Sequence, residues 1–174
     1  MSDDFSYSPC DDRVFVMGIG NLLLGDEGLG VHVIRKLENT LLPDNVSLLD
    51  AGTAFLDAGP HLEAIDKLIV IDAIKGGKKP GTVYRFQLNA ETYTNGGSSL
   101  HDMSVIEMMK LAQNPLPATV TVLGIEPDVI EWSLNLSNTV EEALPLLLDA
   151  VRSEIWNAGP LYQLSNPVEL QLMQ

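Results

Sequence analysis

The chain has 174 residues, 45% of them apolar, enough for one domain with a substantial core. Its 24 acidic and 10 basic side chains give a formal charge of −14, which repels nucleic-acid phosphates and anionic lipid surfaces and makes neither an expected partner. A single cysteine, Cys10, excludes a disulfide framework and a cysteine-rich metal site and reads as an incidental thiol.

Residues 1–12 carry four aspartates and no basic residue, so they form an expected flexible acidic tail and lack the charged and apolar regions of a secretory signal. No apolar run approaches the roughly 20 residues that a membrane-spanning helix needs. A soluble, cytoplasmic protein is expected, and a monomer.

Residues 13–20 form a β-branched apolar run ending in glycines, as expected of a central strand buried on both faces. Over residues 28–41 the spacing of Val33, Ile34, Leu37 and Leu41 puts all four on one face of an amphipathic helix. Residues 46–50 read as a strand, 55–65 as a weaker helix interrupted by Gly59 and Pro60, and 67–72 as a near-continuous apolar strand. This βαβαβ order favours a parallel sheet, because each crossover returns the chain to the same sheet. Residues 76–81 make a basic turn, 82–88 a further strand, and 89–100 a polar, mobile loop. A helix over 102–113, a fifth strand over 118–125 and a closing helix over 139–157, despite Pro145, complete the reading. Residues 159–174 have no assignment. The expected fold is a single α/β domain, a three-layer α/β/α sandwich around a mostly parallel, twisted, five-stranded sheet.

The most informative segment runs from Gly18 to Gly30, a glycine-bracketed turn between strand and helix. A dinucleotide fingerprint would need a glycine where Leu23 stands. A phosphate-binding P-loop would need lysine and a hydroxyl residue where Asp26 and Glu27 stand, and two carboxylates repel phosphate. An acidic pair at a helix start serves equally as a structural cap or as chemistry. Asp72 ends its strand at the carboxyl edge of the expected sheet, where open α/β folds place their ligands. Glu27 follows the first strand at that same edge, so the two carboxylates can converge across 45 positions of sequence. Taken alone, Asp72 could instead cap a turn.

Of the three histidines, His32 lies beside Arg35 and Lys36 and reads as solvated, and His61 has no acidic partner nearby. His101 follows Ser98 and Ser99 and immediately precedes a helix, whose dipole favours the neutral imidazole that a metal requires. Glu27, Asp72 and His101 together would supply two oxygens and one nitrogen, a set suited to zinc, nickel, manganese or iron with positions open for substrate. Neither a His-Glu-x-x-His helix nor a Gly-x-Ser-x-Gly turn is present. The adjacent His101-Asp102 pair would suit a metal phosphohydrolase, but His32 and His61 have no matching acidic setting and the fold order differs. Asp50 reads as a cap of the turn at Gly52 and Thr53, with substrate orientation as its other reading.

These residues resemble the nickel-iron hydrogenase maturation proteases, the hydrogenase-specific C-terminal endopeptidases. The likeness rests on Gly18-x-Gly-Asn21, Gly25-Asp-Glu-Gly-x-Gly30, Asp50-Ala-Gly-Thr53, Asp72-Ala and His101, over roughly residues 13–130. It implies a cleft lined by Glu27, Asp72 and His101 as catalytic and metal-contacting residues, with aspartate in some members where Glu27 stands. It also implies that the metal is nickel already held by the precursor of a hydrogenase large subunit, which the protease inspects before removing a C-terminal extension. Other divalent metals could substitute. The alternative is a noncatalytic nickel-binding chaperone of hydrogenase maturation using the same ligands.

Overall fold

A computed structural model of the protein describes residues 12–54, 65–88, 117 and 119–156. Among them, β1 (Val14–Ile19), β2 (Val46–Gly52), β3 (Lys67–Ala73), β4 (Val83–Leu88) and β5 (Thr119–Ile125) form one sheet in the order β2-β1-β3-β5-β4. β1 pairs in parallel with β2 and β3, and β3 in parallel with β5, while β4 closes one edge antiparallel to β5. The unbroken apolar runs take the interior places, β1 and β3 being buried almost throughout. β4, which carries Arg85 and Gln87 among its apolar residues, takes an edge.

Strand alternation divides the core into two clusters. Val14, Val16, Ile69, Ile71, Leu123 and Ile125 pack against α1 (Leu29–Leu37) and α2 (Asn138–Ile155) on one face. Phe15, Met17, Leu68, Val70, Val120, Val122 and Tyr84 fill the other. Burial of both faces is what a three-layer α/β/α sandwich requires. The helix expected over 55–65, Ile65 excepted, and that over 102–113 lie outside the described residues. So do the 1–11 part of the tail, the 89–100 loop and the C-terminal segment.

The first helix is shorter than its apolar spacing suggests. It ends at Leu37, where Asn39 Nδ2 donates to the Arg35 carbonyl at 2.7 Å and Thr40 Oγ1 to the Leu37 carbonyl at 2.8 Å. These side chains satisfy the last carbonyls in place of a further turn. Leu41, expected on the buried face, is therefore 96% exposed. α2 starts on Ser137, whose Oγ accepts the Val140 amide at 3.3 Å, and tolerates Pro145 on its exposed side.

Near its other end Glu154 fastens α2 to the sheet. Lys67 Nζ donates to the Glu154 carbonyl at 2.6 Å and lies 2.9 Å from Oε2, while Arg85 Nε donates to Oε1 at 2.6 Å. Burial alone would raise the pKa of Glu154, but the hydrogen bonds from Lys67 and Arg85 outweigh it and hold the carboxyl below its ordinary value.

Candidate active site

The glycines around the first turn permit backbone contact. β1 runs into Gly20 at φ +136°, where a Cβ would strike the Glu27 carbonyl oxygen. A Cβ on Gly30 would meet backbone atoms of Ile19 and Ile71. The 3₁₀ turn Gly25–Gly28 and the start of α1 thus lie directly against the carboxyl ends of β1 and β3.

Two consecutive acids on that turn point to different ends. Asp26 is 1% exposed, and its Oδ2 accepts the amides of Asp128 at 2.9 Å and Val129 at 2.8 Å and the Ser137 hydroxyl at 2.8 Å. Its Oδ1 accepts the Ser137 amide at 2.7 Å. The backbone adds Asp26 N to the Val129 carbonyl at 3.1 Å and Gly25 N to the Ser133 carbonyl at 2.8 Å. Asp26 is therefore the structural member of the pair, clamping the turn to the 126–137 segment. Glu27 remains partly exposed at the sheet edge.

Asp72 is the penultimate residue of β3, in register with Gly124 of β5. Its Oδ1 accepts the Ala73 amide at 2.8 Å. Burial, above all, pushes its carboxyl up to about 7; the Ala73 hydrogen bond opposes this, the negative charge of Glu27 adds to it, and Lys75 draws it down. Glu27 is thus near enough to Asp72 for its charge to act on it. A carboxyl that titrates near neutrality can give or take a proton at working pH.

The other candidates separate clearly. Asp50 caps its turn, its Oδ1 accepting the Gly52 amide at 3.1 Å, and its Oδ2 lies 3.8 Å from Arg35 Nη2. His32 is not solvated as expected: its Nε2 is shut away from solvent without a hydrogen-bond partner. The chain near Leu134 lies over this part of α1, and burial, followed by Arg35, lowers the imidazole pKa against an opposing hydrogen bond with the Leu134 backbone. His61 and His101 lie outside the described residues. Among the described residues no group of three or more His, Cys, Asp or Glu side chains is placed to hold a metal.

The sequence reading passed over two features of this edge. Tyr84 donates its hydroxyl to Glu126 Oε2, which also accepts the Lys78 amide at 3.1 Å, and both side chains are buried. Burial, then this contact, raises the tyrosine pKa above its ordinary value. The Asp26 clamp was equally unmarked, since its partners stand 102 to 111 positions away.

A mostly parallel sheet with two carboxylates near the carboxyl ends of its strands has them where open α/β folds place ligand sites. The chain belongs to the hydrogenase maturation protease family, whose profile, described as HycI, hydrogenase maturation protease, matches residues 31–154. It is 32% identical over 153 residues to the hydrogenase 2 maturation protease of Escherichia coli (strain K12), covering 84% of this chain and 93% of that one. The solved structure of the hydrogenase maturating endopeptidase HybD from E. coli superposes with a TM-score of 0.73 at 30% identity, covering 84% of this chain and 94% of that one. The hydrogenase 2 maturation peptidase from Thaumarchaeota archaeon SCGC_AB-539-E09 follows at 0.65 and 33% identity, covering 82% and 97%. By family the chain is a hydrolase, a protease of hydrogenase maturation.

Proposed function

We propose that this protein removes the C-terminal extension from the nickel-loaded precursor of a nickel-iron hydrogenase large subunit, with the nickel of that substrate as the recognition element. The observation that supports the reading is the nearness of Glu27 to Asp72 at the sheet edge, close enough for its charge to raise the Asp72 pKa, with Asp26 turned away into a clamp. Two carboxylates suit a borderline divalent ion, and His101 is the third donor the family resemblance implies. Bound to such a set, the substrate's nickel would present the adjoining chain to the site.

Peptide hydrolysis needs a base for water and an acid for the departing amine. In the metal-free protein burial and the neighbouring Glu27 keep a proton on Asp72 near neutrality, and binding of the substrate's nickel would displace that proton and leave Asp72 a ligand. Glu27, holding the metal through one oxygen, would take the proton of the attacking water on the other and pass it to the departing amine. The Asp26 clamp fixes the backbone from which Glu27 projects, which limits the reorganisation needed at reaction. Among the described residues no helix is long and apolar enough to cross a membrane, which accords with a cytoplasmic site of action. The test is the mass of the precursor after incubation with the wild-type protein and with Glu27→Gln, Asp72→Asn and His101→Ala. Only the wild type should release a C-terminal peptide, and full activity in Glu27→Gln and Asp72→Asn together would refute the assignment.

A further inference from the structure

On the two segments joined at the turn that carries Glu27, five large apolar side chains are exposed by a third or more: Leu23, Val129, Ile130, Trp132 and Leu134. Trp132 is 79% and Leu134 60% exposed. They come from two segments stitched together by backbone: Leu24 bridges Ser133, and the Ser133 amide donates to the Leu23 carbonyl at 3.0 Å. The Asp26 clamp fixes both segments, so little conformational freedom remains to be lost when a partner binds. Exposed apolar patches of this kind mark surfaces that bind other proteins.

The charge around the patch indicates what covers it. Asp128, Glu131, Glu141 and Glu142 are exposed, and residues 126–142 contain no basic side chain. With −14 on each chain, two copies meeting through this face would repel one another, whereas a basic-rimmed partner is attracted. The patch is also tied to the turn that carries Glu27, since the Gly25 amide donates to the Ser133 carbonyl at 2.8 Å and the Asp26 amide to the Val129 carbonyl at 3.1 Å.

We propose that this face docks the protein substrate, taking an apolar segment flanked by basic side chains, with Trp132 as its anchor. The inference rests on the endopeptidase reading and adds to it the surface that holds the substrate beside the carboxylates. Trp132 is a suitable anchor because large aromatic residues dominate binding energy at protein interfaces.

The test compares cleavage of the nickel-loaded precursor by wild type, Trp132→Ala and Leu134→Ala, with kcat and KM measured separately and the thermal midpoint checked for each. Removing uniform binding should raise KM about tenfold for Trp132→Ala and leave kcat within about twofold, with KM rising further as salt is added. Normal KM in both variants, with the wild type active, overturns the docking face and leaves the endopeptidase reading intact. A wild type that cuts no loaded precursor overturns both. A concentration-dependent dimer in sedimentation that Trp132→Ala abolishes assigns the face to a second copy and also overturns the proposal.

Discussion

Asp26 holds Ser137 twice, accepting its amide at 2.7 Å on one oxygen and its hydroxyl at 2.8 Å on the other, while the next residue, Glu27, bears on Asp72. One turn therefore combines a fixed support with a carboxylate whose charge reaches the end of β3.

Asp26→Ala should destabilise the protein by about 2–3 kcal/mol, since it removes four hydrogen bonds and leaves part-buried donors of the 126–137 segment unpaired. Glu27→Gln, at a partly exposed position, should stay within about 0.5 kcal/mol of wild type and yet abolish processing. Urea unfolding of the two variants checks the contrast; equal losses of stability would mean that Glu27 is also structural.

Asp72→Asn should inactivate the enzyme and stabilise it at alkaline pH. The folded carboxyl titrates near 7 and the unfolded one near 3.8, so in between the folded chain holds a proton that the unfolded chain has lost. Stability from this group is full below the lower value and is lost as pH rises through the upper one. The variant should accordingly match wild type at the acid end and exceed it by about 1–3 kcal/mol above neutrality, after allowance for partial exposure. Difference melting curves across this range provide the check, and a variant less stable than wild type at alkaline pH would contradict it.

Lys67→Met leaves Glu154 buried with Arg85 and Thr121 as its remaining partners. A cost of about 3–5 kcal/mol is expected in denaturant titration. Because the Glu154 carboxyl is held below its ordinary value, its contribution is present above that value and is lost as pH falls through the lowered one. The wild-type advantage over Lys67→Met should therefore shrink in acid.

Two glycine substitutions should part company. Gly30→Ala drives a methyl into the backbone of Ile19 and Ile71 and should cost about 3 kcal/mol or more. Gly77→Ala meets nothing within 4 Å and bears only the strain of φ +78°, about 1 kcal/mol. Thermal midpoints of the pair give the comparison.

What the sequence disclosed follows from its physics. β1 and β3 were legible because their side chains are buried on both faces, which leaves an unbroken apolar run. Glu27 and Asp72 stood out because each follows such a run, and a parallel sheet puts those ends on one edge. Asp26 carried no local mark of its role, because every carboxylate partner comes from a segment folded back from beyond β5. Leu41 followed the apolar period of α1 but lies past the point where Asn39 and Thr40 end the helix. His32 looked solvated from its basic neighbours on α1, while the segment around Leu134 that buries it is distant in sequence.

The proposed cleavage through Glu27 and Asp72 is gated by the substrate's metal. The most direct test is the intact mass of a cognate large-subunit precursor, nickel-loaded or nickel-free, after incubation with the wild-type protein and with Asp72→Asn. The expected result is loss of a C-terminal peptide from the loaded precursor with wild type alone. Equal cleavage of the nickel-free precursor would contradict the gate, and a stable complex of wild type with loaded precursor at unchanged mass would contradict the protease.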